Sequence, residues 1–292
     1  MGAVILELAI NGETRAPRNP HVPRTPAEIA AEGVACLSRG ASMLHNHIDD
    51  PFLTGAAAAE EYGRGWSAIL AHDADAIVCP TMAAGTDGAS RISHFEACAH
   101  RYGARMAPLD PGSMNMPLSG GGAGSAQMLS YINSYESISA ILEELCRLRM
   151  GASMGIYEPG FLRAAVAFQR AGKLPRGSFA KLYFFGGRNY FDGTACVGFG
   201  LDPSAAALDA YLDIIGDSGL AWGVAVVGGD VFGSGMARLA LERGGHIRLG
   251  LEDFAGDRTP ANVELLDEVA GLARTLGREP AGSRATAAIL GL

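Results

Sequence analysis

Short apolar runs alternate with longer amphipathic runs eight times along this chain, and that alternation restricts its fold more than any other feature. Ala3–Asn11 (AVILELAIN) reads as a first strand. Thr25-Pro26-Ala27-Glu28 then opens a helix, with Thr as N-cap, Pro at the first helical position and Glu at the third. That helix ends at Gly40, and Ser42–Ile48 forms the second strand. Further helix–strand pairs are Ala57–Leu70 with Ala76–Cys79, Ser90–Tyr102 with Arg105–Leu109, and Ser137–Met150 with Ser153–Tyr157. Phe161–Ala171 precedes Phe179–Phe185, Pro203–Ile215 precedes Ala221–Val227, and Gly233–Arg243 precedes His246–Leu251. A last helix spans Ala261–Leu276. Eight such units predict an α/β chain folded as a (β/α)8 TIM barrel, one catalytic domain over residues 1–292. An open doubly wound sheet would also alternate; the count, and the polar residues that follow the strands, favour the barrel.

The formal net charge of −8 argues against bulk binding of nucleic acid or an anionic membrane, which needs a basic patch. The apolar runs are short and interrupted, so no transmembrane helix is expected, and MGAVILELAI lacks the basic start of a signal peptide. Five scattered cysteines (Cys36, Cys79, Cys98, Cys146 and Cys196) form no CxxC, which suggests a reducing cytoplasm and leaves metal binding to His and carboxylates. Ser119–Ser125 (SGGGAGS) lacks the Lys and Ser/Thr of a phosphate-binding loop and is expected to be a mobile loop.

Chemistry concentrates first in SMLHNHIDD, residues 42–50. Strand side chains alternate faces, so Met43, His45 and His47 share one face and Leu44, Asn46 and Ile48 the other. In a barrel the first set points inward at the C-terminal end, where active sites of this fold sit. Two imidazoles one residue apart can reach a single metal ion; the plainer alternative is a pair of core-edge histidines bonded to backbone.

A third ligand is sought in HIRLGLED, residues 246–253. Ile247, Leu249 and Leu251 share the helix-facing side, and Arg248, Gly250 and Glu252 share the interior, with Gly250 leaving room for a ligand or metal. Glu252 lies at the C-terminal end of the eighth strand, close to the first and second in a closed barrel. An ordinary acidic loop is the alternative, but an interior Arg248 needs an anionic partner. His246 lies at the strand's start and reads as structural. Glu7 is a candidate partner for Arg248, and Glu13, past the first strand, faces either solvent or substrate. Thr81, Ser113, Asn115 and Glu158 follow other strands as polar groups around the mouth.

NPHVPRTPAEIA, HNHIDD and GGHIRLGLED together resemble the β-keto acid cleavage enzymes, over nearly the whole chain. The resemblance implies a TIM barrel that forms a tetramer and binds zinc through His45, His47 and Glu252. It implies catalytic roles for Asp253, its paired Arg248 and Glu13. Ser113 and Asn115 would hold the substrate carboxylate, with Glu158 also at the substrate. The family's serine after the third strand falls on Pro80, which removes one donor and leaves Thr81. Arg188–Pro203, which would shape the distal pocket and the coenzyme A entrance, is longer than expected for the family.

The implied reaction joins a β-keto acid to acetyl-CoA and then cleaves by a reverse Claisen step, giving acetoacetate and a new acyl-CoA. Zinc would polarise the keto carbonyl and Asp253 would take the C2 proton, with no covalent enzyme nucleophile. Two other readings remain open: an aldol-type lyase acting on an acyl-CoA, and a zinc hydrolase of the amidohydrolase type. The second is weakened because Glu158 and Gly186-Gly187-Arg188 stand where that type carries histidines. A non-enzymatic binding module is weaker still.

Overall fold

Near-continuous apolar runs at the strand positions give parallel strands buried on both faces, as a barrel wall requires. The computed structural model describes residues 2–85, 88–117, 128–189 and 191–292; Ser119–Ser125 lies outside them. The parallel strands are β1 (Leu6–Ala9), β2 (Met43–His45), β3 (Ile77–Cys79), β4 (Met106–Leu109), β7 (Gly151–Ile156), β8 (Phe179–Phe185), β9 (Ala221–Val227) and β10 (His246–Leu249). A hairpin of β5 (Met114–Pro117) and β6 (Met128–Tyr131) is inserted after β4. The ladder runs β3-β2-β1-β10-β9-β8-β7-β4, and β3 and β4 at its two ends pack side by side, so the sheet curls into a nearly closed TIM barrel.

The outer helices are α1 (Pro26–Leu37), α2 (Gly55–His72), α3 (Gly88–Ile92), α4 (Phe95–Tyr102), α5 (Tyr135–Leu148), α6 (Pro159–Arg170), α7 (Ala205–Ile215), α8 (Met236–Glu242) and α9 (Asn262–Thr275). The start of α1 has the expected chemistry: Thr25 accepts from the Glu28 amide, and the Glu28 carboxylate accepts from the Thr25 amide. The main core lies between strands and helices, and Trp66 of α2 is fully buried there with its indole N–H donating to Asn46.

Four expectations need correction. The helix expected over Ser90–Tyr102 is two helices, α3 and α4, broken where the His94 ring is drawn to the Thr81 carbonyl, 2.8 Å away. The region after the fourth strand, read as a loop, contains the β5–β6 hairpin, so Asn115 lies on a strand. Ala261–Leu276 is not the last helix: α10 (Ser283–Leu290) follows and plugs the N-terminal end of the barrel. There Ala287 and Leu290 pack on Ile5, Met43, Ile77, Met106 and Phe179, and Thr286 donates to Ser42 at 2.7 Å. Finally, Gly250 does not make room for a ligand. Its φ is +139°, and a Cβ there would lie 2.1 Å from the Ala9 carbonyl oxygen, so glycine is required by the close approach of β1.

Candidate active site at the C-terminal rim

Strand neighbourhood assembles the site. β1 pairs with β2 on one side and β10 on the other, with Glu7 opposite Met43 and Arg248, and Ala9 opposite His45. Residues distant in sequence therefore meet across three adjacent strands. Past the strand ends the chain is held by buried amides. Asn11 accepts from the His47 N–H at 2.8 Å and donates to the His47 carbonyl at 3.0 Å. Asn262 accepts from the Leu251 N–H and donates to the Ile10 carbonyl, both at 2.9 Å. Thr14 donates to the Leu251 carbonyl, and the Glu252 N–H donates to the Ala9 carbonyl.

His45, His47 and Glu252 come together with one ligand atom each, all within 4.8 Å of one another. His45 Nε2 lies 3.4 Å from Glu252 Oε2, and His47 Nε2 lies 3.6 Å from Glu252 Oε1. The two rings stand nearly perpendicular, with centroids 5.3 Å apart. Each Nδ1 faces an acceptor: the Cys79 carbonyl at 3.2 Å for His45, and Glu13 Oε1 at 3.1 Å for His47. A proton on each Nδ1 leaves both Nε2 lone pairs directed at one point beside a carboxylate. This is the arrangement that outer partners impose on metal-binding histidines, so the donor set fits a divalent cation. Burial and the adjacent charges bias the protonation of the three groups. Burial takes His45 well below the usual imidazole value, against the pull of Glu252. Burial opposes charge on His47 too, but Glu252 and Glu13 raise it to about 9. Burial would raise Glu252; Arg248 and the two histidines hold it well below the usual carboxylate range.

Beneath the triad, Arg248 is buried among three carboxylates. It donates through Nε and an Nη to Asp253 at 2.9 and 3.2 Å, and to Glu7 at 3.0 Å, and lies 2.8 Å from Glu252. Burial, reinforced by Glu252, pushes the Asp253 carboxyl up to about 6 against the pull of Arg248. Asp253 is thus a buried carboxylate of raised basicity, held in orientation by a two-point bond, next to but outside the triad.

The other sequence-derived candidates are dispersed. Glu13 joins the triad through His47 and is also paired with Arg15. Thr81 sits beyond β3, with its N–H donating to Tyr62 and its carbonyl accepting from His94. The Ser113 hydroxyl is engaged with the Asn133 backbone, and Asn115 accepts from Ser130 within the hairpin. Glu158 caps no helix through its side chain; it accepts from the Gly200 N–H at 2.9 Å and so ties down the loop after β8.

Sequence reasoning missed Asn11, Asn262 and a second buried network. In that network Tyr131 donates to Asp110 at 2.6 Å, while Arg91 donates to Tyr131 at 3.0 Å and to Asn133 at 2.9 Å. Asp110 also accepts from the Gly155 N–H and occupies the space a side chain at 155 would take, 2.4 Å from a Cβ there. An Asn just past a strand and one opening a helix were visible signals, but their partners lie up to 252 residues away.

Fold and rim geometry define a TIM-barrel enzyme with a His-His-Glu group next to a buried, arginine-held carboxylate. The chain belongs to the beta-keto acid cleavage enzyme family, whose sequence model matches residues 3–292, and it is a carbon–carbon bond-cleaving acyltransferase. It is 29% identical over 286 residues to a 3-keto-5-aminohexanoate cleavage enzyme of Fusobacterium nucleatum subsp. nucleatum, covering 96% of this chain and 94% of that protein. It is 27% identical over 293 residues to the 3-oxoadipate:acetyl-CoA acetyltransferase of Cupriavidus necator, covering 99% and 94%. Among solved structures, the binary complex of ObcA with oxaloacetate superposes with a TM-score of 0.67 at 15% identity, covering 94% of this chain and 68% of that one. That likeness supports the fold.

Proposed function

We propose that this chain condenses a β-keto acid with acetyl-CoA and cleaves the adduct by a reverse Claisen step, releasing acetoacetate and a new acyl-CoA. The observation that carries this reading is the Arg248-held Asp253 carboxylate beside the His45–His47–Glu252 group, in a member of this family. The activities of the two relatives, one of them an acetyl-CoA acetyltransferase, point the same way.

His45, His47 and Glu252 would hold the cation, with zinc preferred for two imidazoles and a carboxylate. When bound, it supplies Lewis-acid polarisation of the keto oxygen. Asp253 takes the proton from C2 of the β-keto acid, and Arg248 stabilises the carboxylate before transfer and fixes its direction. The resulting carbanion attacks the acetyl thioester and coenzyme A leaves as thiolate. The thiolate attacks the original keto carbon, the bond between C2 and C3 breaks, and the departing acetoacetate carbanion recovers a proton from Asp253. Glu13 keeps the His47 proton on Nδ1. Ser113, Asn115, Thr81 and Glu158 are assigned to the substrate, a role that for Ser113 and Glu158 requires release of their present bonds. The reading includes one catalytic domain over residues 1–292, a homotetramer and a cytoplasmic location; among the described residues no helix is long and apolar enough to cross a membrane.

Acetoacetate formation from a panel of β-keto acids, followed by mass spectrometry with and without acetyl-CoA, tests this. The expected product requires acetyl-CoA and disappears in His45→Ala. No acetoacetate from zinc-loaded protein on any panel member refutes it.

A further inference from the structure

β8 lies four strands from β2 in either direction round the barrel, so its inward side chains stand across the mouth from His45 and His47. These side chains are aromatic. Tyr183 and Phe185 of β8 pack with Val227 of β9 and with Phe199 from the loop after β8. Tyr157, from the end of β7, stands edge-on to Tyr183 and Phe199 with ring centroids 4.7 and 4.9 Å apart. The wall reaches the reacting end of the site, because the Tyr183 ring lies 5.4 Å from the Arg248 guanidinium that holds Asp253.

The wall carries no ionised group, and the two cations packed against the Tyr183 ring are already paired. Arg248 is shared among Glu7, Glu252 and Asp253, and Lys181 faces Glu7 at 3.7 Å. The carboxylates nearby meet mostly neutral donors: Asp110 accepts from Tyr131 and Gly155 and Glu158 from the Gly200 N–H, while Glu13 is bonded to His47 and Arg15. An anionic distal group placed here would lose its hydration without meeting a free counter-charge, while an apolar one gains by leaving water.

We propose that Tyr157, Tyr183, Phe185 and Phe199 form the distal-group subsite, and that it selects β-keto acids with uncharged, apolar or aromatic distal groups over those with a distal carboxylate. The selection separates this chain from the acetyltransferase relative, whose 3-oxoadipate substrate carries a second carboxyl group there. It rests on the reaction proposed above.

Two six-carbon acids test it at constant chain length: 3-oxohexanoate and 3-oxoadipate, each with acetyl-CoA and zinc-loaded protein. The expected kcat/KM for 3-oxohexanoate exceeds that of 3-oxoadipate by about tenfold or more. Phe199→Lys is expected to move the ratio toward 3-oxoadipate. Turnover of 3-oxoadipate as fast as that of 3-oxohexanoate, or faster, overturns the subsite. Calorimetric Kd values for the same acids keep the two readings separate. If nothing is turned over but 3-oxohexanoate binds about tenfold tighter, the reaction fails and the subsite stands; equal or reversed affinities overturn the subsite.

Discussion

Asn11 grips both main-chain polar groups of His47: its side-chain oxygen accepts from the His47 N–H at 2.8 Å, and its amide donates to the His47 carbonyl at 3.0 Å. The second histidine of the HxH lies beyond the end of β2, where no ladder bond fixes it. Asn11 replaces the missing strand partner. Asn11→Ala is expected to lower metal affinity by about ten- to hundredfold, as loss of an outer-shell partner does. Retained zinc after dialysis against graded chelator measures it, and unchanged retention would contradict the assignment.

Glu13 separates charge from geometry. Glu13→Gln keeps an oxygen acceptor for His47 Nδ1 but removes the carboxylate, whereas Glu13→Ala removes both. The expected order of zinc affinity is wild type, then Gln, then Ala, spanning about ten- to hundredfold in total. Competition with a chromophoric chelator reads the order directly.

Arg248 is buried and bonded to Glu7 and Asp253. Arg248→Met leaves those carboxylates without their cation and is expected to destabilise the fold by about 3–5 kcal/mol. Urea unfolding of metal-free protein measures this, and a loss under about 1 kcal/mol would show the guanidinium dispensable to the core.

The barrel plug predicts a separation of stability from metal binding. Leu290 of α10 packs at the opposite end of the barrel from the triad. Leu290→Ala is expected to cost about 2–3 kcal/mol of unfolding free energy with zinc stoichiometry unchanged. A coupled loss of zinc would contradict the separation.

Acid sensitivity should contain a contribution from His246. Its Nδ1 accepts the Ile5 N–H at 3.0 Å, and burial, aided by the Arg278 charge, lowers its pKa to about 4. Between about 6.5 and about 4 the unfolded chain binds a proton that the folded chain refuses. The contribution is complete above about pH 6.5 and is lost as pH falls toward 4, on the order of 3 kcal/mol in all. His246→Gln keeps an acceptor without titrating, so its stability should fall less between pH 7 and pH 4.5 in urea titrations. Parallel profiles would reject the assignment.

The sequence exposed the elements governed by strand parity. His45 and His47 on one face, and Arg248 opposite the apolar Ile247 and Leu249, follow from alternation, and the barrel then brings them together. Features fixed by tertiary contact were not exposed. The arms of the β5–β6 hairpin flank a glycine-rich stretch with no two-residue turn signal between them. α10 is a short alanine-rich helix whose stability comes from plugging the barrel. Asp110 and Tyr131 find each other only after the hairpin folds over β4. Gly250 was read as space for a ligand because a sequence does not reveal how near a neighbouring backbone passes.

The order of the strands also sets when the protein can first act during synthesis. β1 leaves the ribosome well before its β10 neighbour, with Glu7 and Arg248 241 residues apart. His45 and His47 therefore wait for Glu252 while the strands between are made, and the nascent chain can gather two of the candidate ligands but not the third. A chain released early, even with six of its eight barrel strands, would carry an exposed edge on β1 and no finished cation site, so truncated products should be both inactive and prone to aggregate.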